Sequence, residues 1–121
     1  MADISFARGD LYVFPFAVYI DGEMYTEPLT SIYFTVKKHY FDKEAVFQKK
    51  LSDGTIIENG DGSYTIRIEP EDTEELNFGV YDYDIQVTKV DEFDLLIFKQ
   101  TFTGKIELTS ESTHKENETE A

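Results

Sequence analysis

The chain has 121 residues, of which 40% are apolar and 15% aromatic, so it is long and apolar enough to form one domain with its own core. Its 25 acidic residues outnumber its 11 Lys and Arg and give a net charge of −14, which argues against binding to nucleic acid or to an anionic membrane surface. The chain has no cysteine, which excludes a disulfide, a thiolate nucleophile and a Cys-ligated zinc site.

Most of the chain alternates apolar and polar residues with a period of two, which predicts half-buried antiparallel strands. The alternation is clearest in VFPFAVYI (13–20), IYFTVK (32–37), SYTIRIE (63–69), VYDYDIQV (80–87) and LIFKQTFTGKIEL (96–108). In the last run, five apolar residues are expected to face the core: Leu96, Phe98, Phe102, Ile106 and Leu108. Asp-Gly and Asn-Gly pairs, which tolerate the positive φ of tight turns, separate several runs. Pro15 has no N–H for a sheet ladder, which predicts that its run is an edge strand or is bulged.

Two segments have a helical interpretation. Residues 42–51 (DKEAVFQKKL) form either a short helix capped by Asp42 or a strand, and we favour the strand because the neighbouring segments are strands. Residues 70–76 (PEDTEEL) suit a single helical turn, because proline occupies the first position and acidic residues follow it.

The spacing Leu-x-x-Gly-x-Tyr in LNFGVY (76–81) resembles the tyrosine corner of Greek-key sandwiches. In such a corner the hydroxyl of Tyr81 would bond back to the backbone, Gly79 would give the turn its freedom, and Leu76 would close the end of the core. On this interpretation Asp82 and Asp84 belong to the solvent face of a strand. They are then neither metal ligands nor an acid–base pair.

The segment GDGSYTIRIEPEDTEELNFGVYDYDIQV (60–87), followed by FKQTFTGKIELT (98–109), resembles the immunoglobulin-like domain at the N-terminus of phage baseplate upper proteins and related tail-fibre proteins. The resemblance implies an all-β, immunoglobulin-like Greek-key sandwich of about seven antiparallel strands over residues 1–109. It also implies a structural role in a phage tail or baseplate, in the virion or as a prophage product in the bacterial cytoplasm.

The two ends of the chain carry their own predictions. Residues 110–121 are acidic and have no apolar residue larger than alanine, so we expect a disordered tail. The N-terminus has no basic region followed by an apolar run, so we expect no secretory signal peptide.

Catalytic motifs are sparse, since the chain has two histidines and no serine within a nucleophile motif. We therefore predict a non-enzymatic structural or interaction module without a cofactor, whose partners are tail or baseplate proteins or further copies of itself. The alternative is a sandwich that binds calcium or carbohydrate. Its sugar-stacking residues would be Tyr19, Tyr25, Tyr33 or Tyr40, and its calcium ligands would come from Asp53, Glu58, Asp61, Asp91 and Asp94.

The closing strand, Leu95 to Leu108, exceeds the usual length of a strand, so we expect part of it to extend beyond its partner strand. Unpaired strand edges can pair with another chain. The predicted interaction edge consists of Lys99, Gln100, Thr101, Phe102, Thr103 and Gly104, and it would support a homo-oligomer or docking to a tail protein.

Overall fold

The computed structural model describes residues 3–110, and strands account for 56% of the structure against 4% for helix, which confirms the all-β class. Ten strands and one helical turn follow in chain order: β1 Ile4–Ala7, β2 Tyr12–Ala17, β3 Tyr19–Ile20, β4 Glu23–Met24, β5 Ser31–Lys37, β6 Phe47–Lys50, β7 Ile56–Glu58, β8 Ser63–Ile68, α1 Pro70–Thr73, β9 Gly79–Val90 and β10 Leu96–Thr109.

The strands form a five-stranded sheet in the order β1-β10-β9-β5-β6, a three-stranded sheet in the order β2-β8-β7, and a two-stranded ribbon of β3 and β4. Residues 3–110 thus contain ten strands where about seven were expected. The expectation of antiparallel pairing is wrong for β1, which runs parallel to β10. Pro15 lies in β2, at the edge of the three-stranded sheet, as its missing N–H predicted.

The core lies between the two larger sheets and follows the predicted alternation. The ring of Phe34 on β5 is fully buried and lies 5.7 Å from that of Phe14 on the opposite sheet and 5.5 Å from that of Tyr83 on β9. Burying one large apolar side chain of this kind contributes about 1.5–3 kcal/mol. The buried core residues are Ile4, Val18, Leu29, Ile32, Phe34, Val36, Ile56, Tyr64, Ile66, Ile68, Tyr81, Ile85, Val87, Ile106 and Leu108.

Both segments with a helical interpretation are settled. The predicted helical turn is α1, with Pro70 at its first position. The Asp72 carboxylate accepts a hydrogen bond from the Glu69 N–H at 2.7 Å and pairs with Lys49 Nζ at 2.5 Å, which gives the buried ammonium of Lys49 the partner it needs. In residues 42–51, β6 covers Phe47–Lys50 and a loop precedes it, so the favoured strand is confirmed over the helix.

Strand β10 pairs with β9 along almost its entire length, from Leu96 opposite Val90 to Leu108 opposite Gly79. The expectation that part of β10 extends beyond its partner is therefore wrong, because β9 is nearly as long. On the other side of β10, β1 pairs only with residues 106–109. Of the predicted tail at 110–121, only Ser110 lies within the described residues.

Candidate functional site

Leu76, Gly79 and Tyr81 hold the loop before β9 onto the sandwich. The Tyr81 hydroxyl donates to the backbone carbonyl of Asn77 at 2.8 Å, the bond back to the backbone that the spacing predicted. Burial raises the pKa of Tyr81. Gly79 has a φ of +130°, which a residue with a side chain rarely adopts. Leu76 packs against the core, so all three positions serve the fold.

Asp82 lies on the outer face of the five-stranded sheet, as predicted, but it is not freely solvated. Its half-buried carboxylate accepts hydrogen bonds from Lys105 Nζ on β10 at 2.5 Å and from the Tyr40 N–H at 2.8 Å. The hydrogen bond from Lys105 is the main cause that lowers the pKa of Asp82. Asp82 thus joins two strands to the loop at residues 38–46, and the expectation of a solvated side chain is wrong.

Asp84, two residues further along the same face, has a different environment. It lies between Thr35 on β5 and Thr103 on β10, and its side chain is partly buried. Desolvation raises the pKa of Asp84, while the nearby charge of Lys37 partly opposes the shift. Within residues 3–110 the Asp84 side chain has no hydrogen-bond partner, so the expectation of a fully solvated carboxylate is wrong here too.

Two clefts flank Asp84 on this outer face and share Asp84 and Lys37. The first, of about 300 Å³, is lined by Lys37, Tyr40, Asp82, Tyr83, Asp84, Thr103, Gly104 and Lys105. The second, of about 540 Å³, is lined by Tyr33, Thr35, Lys37, Lys43, Ala45, Gln48, Asp84 and Gln86. We call these the β10 cleft and the β6 cleft.

Three consecutive aromatic residues in the loop after β5 form an exposed cluster beside the β10 cleft. The rings of His39 and Phe41 stack with centroids 5.2 Å apart, and the ring of Tyr40 packs edge-on against Phe41 at 5.4 Å. The side chain of Tyr40 is 79% exposed and lines the cleft. Sequence reasoning named Tyr40 as a possible sugar-stacking residue but gave no sign of the cluster, which depends on the loop folding back toward Asp82.

The other predicted tyrosines lie apart from this cluster. Tyr33 lines the β6 cleft, whereas Tyr19 is exposed on the separate ribbon. Tyr25 packs edge-on against Phe98 at 5.1 Å. Of the four tyrosines, Tyr33 and Tyr40 line clefts to which Asp84 also belongs, and each lines a different cleft.

The predicted calcium ligands do not converge. Asp53 accepts from Thr55, Asp61 from Ser63, and Asp91 from the N–H groups of Phe93 and Leu95, so each carboxylate closes its own turn. Among residues 3–110 no group of three or more His, Cys, Asp or Glu side chains lies close enough together to hold a metal ion.

On the side of β10 where β1 pairs with residues 106–109, residues 99–103 have no partner strand within residues 3–110. We call this segment the open edge. The Lys105 carbonyl accepts from the Asp3 N–H at 3.0 Å and the Lys105 N–H donates to the Asp3 carboxylate at 3.0 Å, so both backbone groups of Lys105 point away from β9. Backbone direction alternates along a strand, so the N–H and C=O groups of Thr103, Thr101 and Lys99 also point outward. No strand of residues 3–110 pairs with them.

Three of the predicted edge residues, Gln100, Phe102 and Gly104, lie on the inner face instead, opposite Val87, Ile85 and Tyr83 of β9. A Cβ at Gly104 would overlap the Asp3 carboxylate and would lie 2.6 Å from the Tyr83 ring, so any side chain here must displace these groups. The ring of Phe102 lies 6.5 Å from that of Phe16 on β2, yet Phe102 remains partly exposed at the open side of the sandwich.

The hairpin that joins β9 to β10 carries an apolar patch that sequence reasoning missed. We call it the hairpin patch; its four side chains are 54% to 75% exposed and belong to Phe93, Leu95, Leu96 and Ile97. Leu96 was expected to face the core, and this is wrong because a bulge between Leu96 and Phe98 shifts the register. The sequence signal for this patch was the run LLIF, in which adjacent apolar residues break the period-two alternation.

Wider features give no further indication of activity. His39, the single histidine among the described residues, is exposed and stacked on Phe41. No helix within residues 3–110 is long and apolar enough to cross a membrane. No protein-family model, curated protein or solved structure matches the sequence.

Proposed function

We propose that the chain is a non-enzymatic interaction module that binds a protein partner by adding a strand of that partner to the open edge of β10. The observation that carries the proposal is the outward-pointing backbone of Lys99, Thr101 and Thr103, with which no strand of residues 3–110 pairs. An open edge supplies hydrogen bonds to an incoming strand, and adjacent side chains select its sequence.

The hairpin patch supports a protein partner over a small polar one. It continues directly into the open edge, and Phe102 adds a partly exposed ring further along the strand. Contiguous exposed apolar side chains of this kind mark interaction surfaces on soluble proteins. The partner is therefore expected to cover both the edge and the hairpin.

The charge of the edge supports an acidic or neutral partner strand. Residues 95–106 contain Lys99 and Lys105 and no acidic residue, in a chain whose net charge is −14. Lys105 is already paired with Asp82, so Lys99, which has no ion pair within residues 3–110, is the residue that favours an acidic side chain on the partner strand. A second copy of the chain could also pair here, although its overall charge opposes association and makes it salt-dependent.

An immunoglobulin-like assignment of the sandwich supports the same role. In the assignment that we propose, the neighbours β10, β9 and β5 would take the places of strands G, F and C of that fold, and β2, β8 and β7 those of strands B, E and D. Strand β9 then occupies the position of strand F, the strand on which a tyrosine corner begins. The sequence resemblance to baseplate upper proteins makes a phage tail or baseplate protein the first partner to test, and a second copy the next.

The test is the substitution Thr101→Pro, with Thr101→Ala as the matched control. Proline removes an N–H that points to the open edge and leaves the ladder to β9 intact, whereas alanine keeps the N–H and removes the same side-chain hydroxyl. Light scattering would be measured on the purified chain at low and high salt, alone and with the products of the neighbouring genes. We expect a complex or oligomer that Thr101→Ala retains and Thr101→Pro loses while remaining folded.

Two results would contradict the proposal. One is a strict monomer at high concentration that also binds none of the neighbouring gene products. The other is a complex that the proline variant forms as well as the wild type does, because the edge backbone would then play no part in it.

A further inference from the structure

Asp84 and Lys37 face the same two clefts, where their opposite charges attract each other without a direct contact. Both side chains are partly buried, and neither forms a hydrogen bond or an ion pair within residues 3–110. The donors of Lys37 and the acceptors of Asp84 are therefore available to a ligand in the clefts. Polar groups that converge in a cleft are a feature of ligand sites, so this pair is where we place a binding surface.

The wall of the β10 cleft is fixed before any ligand arrives. Asp82 receives hydrogen bonds from Lys105 and from the backbone of Tyr40, so the aromatic loop is held against β9 and β10. A site whose groups are already in place loses little conformational freedom on binding. Asp82 thereby positions Tyr40 and leaves Asp84 as the unpaired acceptor.

The exposed ring of Tyr40 offers a flat apolar face beside these polar groups. Its contact with Phe41 restrains the ring, and its exposure leaves a face open to a ligand. A ligand that suits the cleft has one apolar face and a rim of groups that both donate and accept hydrogen bonds. A pyranose ring has this chemistry, since its C–H face stacks on an aromatic ring and its hydroxyls bond to a carboxylate and an ammonium.

We infer that the outer face of the five-stranded sheet is a saccharide-binding site, in which a pyranose ring stacks on Tyr40 and its hydroxyls bond to Asp84 and Lys37. The β10 and β6 clefts share these two residues, so an oligosaccharide can lie across both. Lys43 in the β6 cleft adds a second lysine with no ion pair inside the described residues, which favours a sugar acid there. The site shares Thr103 with the open edge of β10, so a partner strand bound there would border the β10 cleft.

The test uses ¹H–¹⁵N chemical-shift titrations of the full chain with neutral oligosaccharides and oligouronates. We expect shifts at the amides around Tyr40, Asp84 and Lys37. Tyr40→Ala removes the stacking ring and keeps the backbone bond to Asp82, so it should weaken binding by about tenfold. Asp84→Asn keeps the shape and loses the charged acceptor, and it should weaken binding to a similar extent.

The matched control is Tyr19→Ala, since Tyr19 is also exposed, at 62%, but lies on the ribbon of β3 and β4. Its titration should equal that of the wild type. The inference is overturned if no saccharide in the panel shifts the amides around the clefts. It is equally overturned if Tyr40→Ala and Asp84→Asn both bind as the wild type does, because binding would then lie elsewhere.

Discussion

The substitution Tyr81→Phe tests whether the Tyr81 hydroxyl stabilises the fold as a tyrosine corner does. It removes one hydroxyl, whose hydrogen bond to the Asn77 carbonyl at 2.8 Å fixes the loop before β9, and leaves the ring in the core. Asn77 is exposed, so its carbonyl can bond to water once the hydroxyl is gone. The cost is then close to that of one net hydrogen bond, about 1 kcal/mol, rather than that of a buried orphan group.

A second tyrosine provides a calibrated comparison. The Tyr64 hydroxyl accepts a hydrogen bond from the N–H of Leu29 at 2.9 Å, and both residues are buried. Tyr64→Phe therefore leaves a buried donor without a partner and should cost more, about 2–3 kcal/mol. Tyr33 lies on the outer face and its hydroxyl forms no hydrogen bond within residues 3–110, so Tyr33→Phe should change stability by less than about 0.5 kcal/mol.

Urea denaturation of the three variants would measure these differences. With a slope of about 1–2 kcal/mol/M, a loss of 1 kcal/mol lowers the midpoint by about 0.5–1 M at unchanged slope. The expected order of cost is Tyr64→Phe, then Tyr81→Phe, then Tyr33→Phe. If Tyr81→Phe has the same denaturation midpoint as the wild type, the Tyr81 hydroxyl does not stabilise the fold as a tyrosine corner, whatever Tyr64→Phe and Tyr33→Phe show.

The remaining predictions concern Gly104 and the two aspartates on the outer face of the five-stranded sheet, Asp82 and Asp84. Gly104→Ala should destabilise by about 1–3 kcal/mol in urea denaturation, because the new Cβ overlaps the Asp3 carboxylate and the Tyr83 ring. A neutral result would mean that both side chains move aside freely. Asp84 has a raised pKa, so its favourable contribution is full below its ordinary pKa of 3.8 and is lost as the pH rises through its folded pKa. Asp84→Asn should therefore stabilise the chain at pH 7, and the gain should vanish at low pH. Asp82 has a lowered pKa, so Asp82→Asn should destabilise above pH 3.8, with the difference lost as the pH falls through its folded pKa. Thermal unfolding against pH measures both, and equal pH profiles for the two variants would contradict these environments.

Local pattern was enough to predict the features that depend on nearby residues. The bond of Tyr81 spans four positions, α1 follows from Pro70 and the acids after it, and the place of β2 at a sheet edge follows from Pro15. In each case the physical cause lies within one turn or one strand. Such features can therefore be predicted from the sequence without knowing which segments contact each other in the fold.

The features that sequence reasoning missed depend on distant partners. Asp82 was assigned to the correct face, but its environment is set by Lys105 and by the loop at Tyr40, which no local pattern connects to it. Leu96 has the same parity as Phe98, yet the bulge between them breaks the alternation. Parallel pairing of β1 with β10 likewise joins the two ends of the described chain. The period-two alternation predicts the face of the sheet on which a side chain lies, but it does not predict which residues contact that side chain.

The sheet edges of this sandwich are protected unequally, and the inequality points to β10. Natural proteins blunt open edges with proline, lysine or short strands. Strand β2 carries Pro15, β7 has three residues, and β6 has four with Lys50 among them. Strand β10 has fourteen residues, no proline, and the apolar hairpin patch at its start. Strand β1 nevertheless pairs only with its last four residues, 106–109. A chain that blunts its other edges but leaves its longest one open is expected to use that edge, which is why the proline at Thr101 is the decisive perturbation.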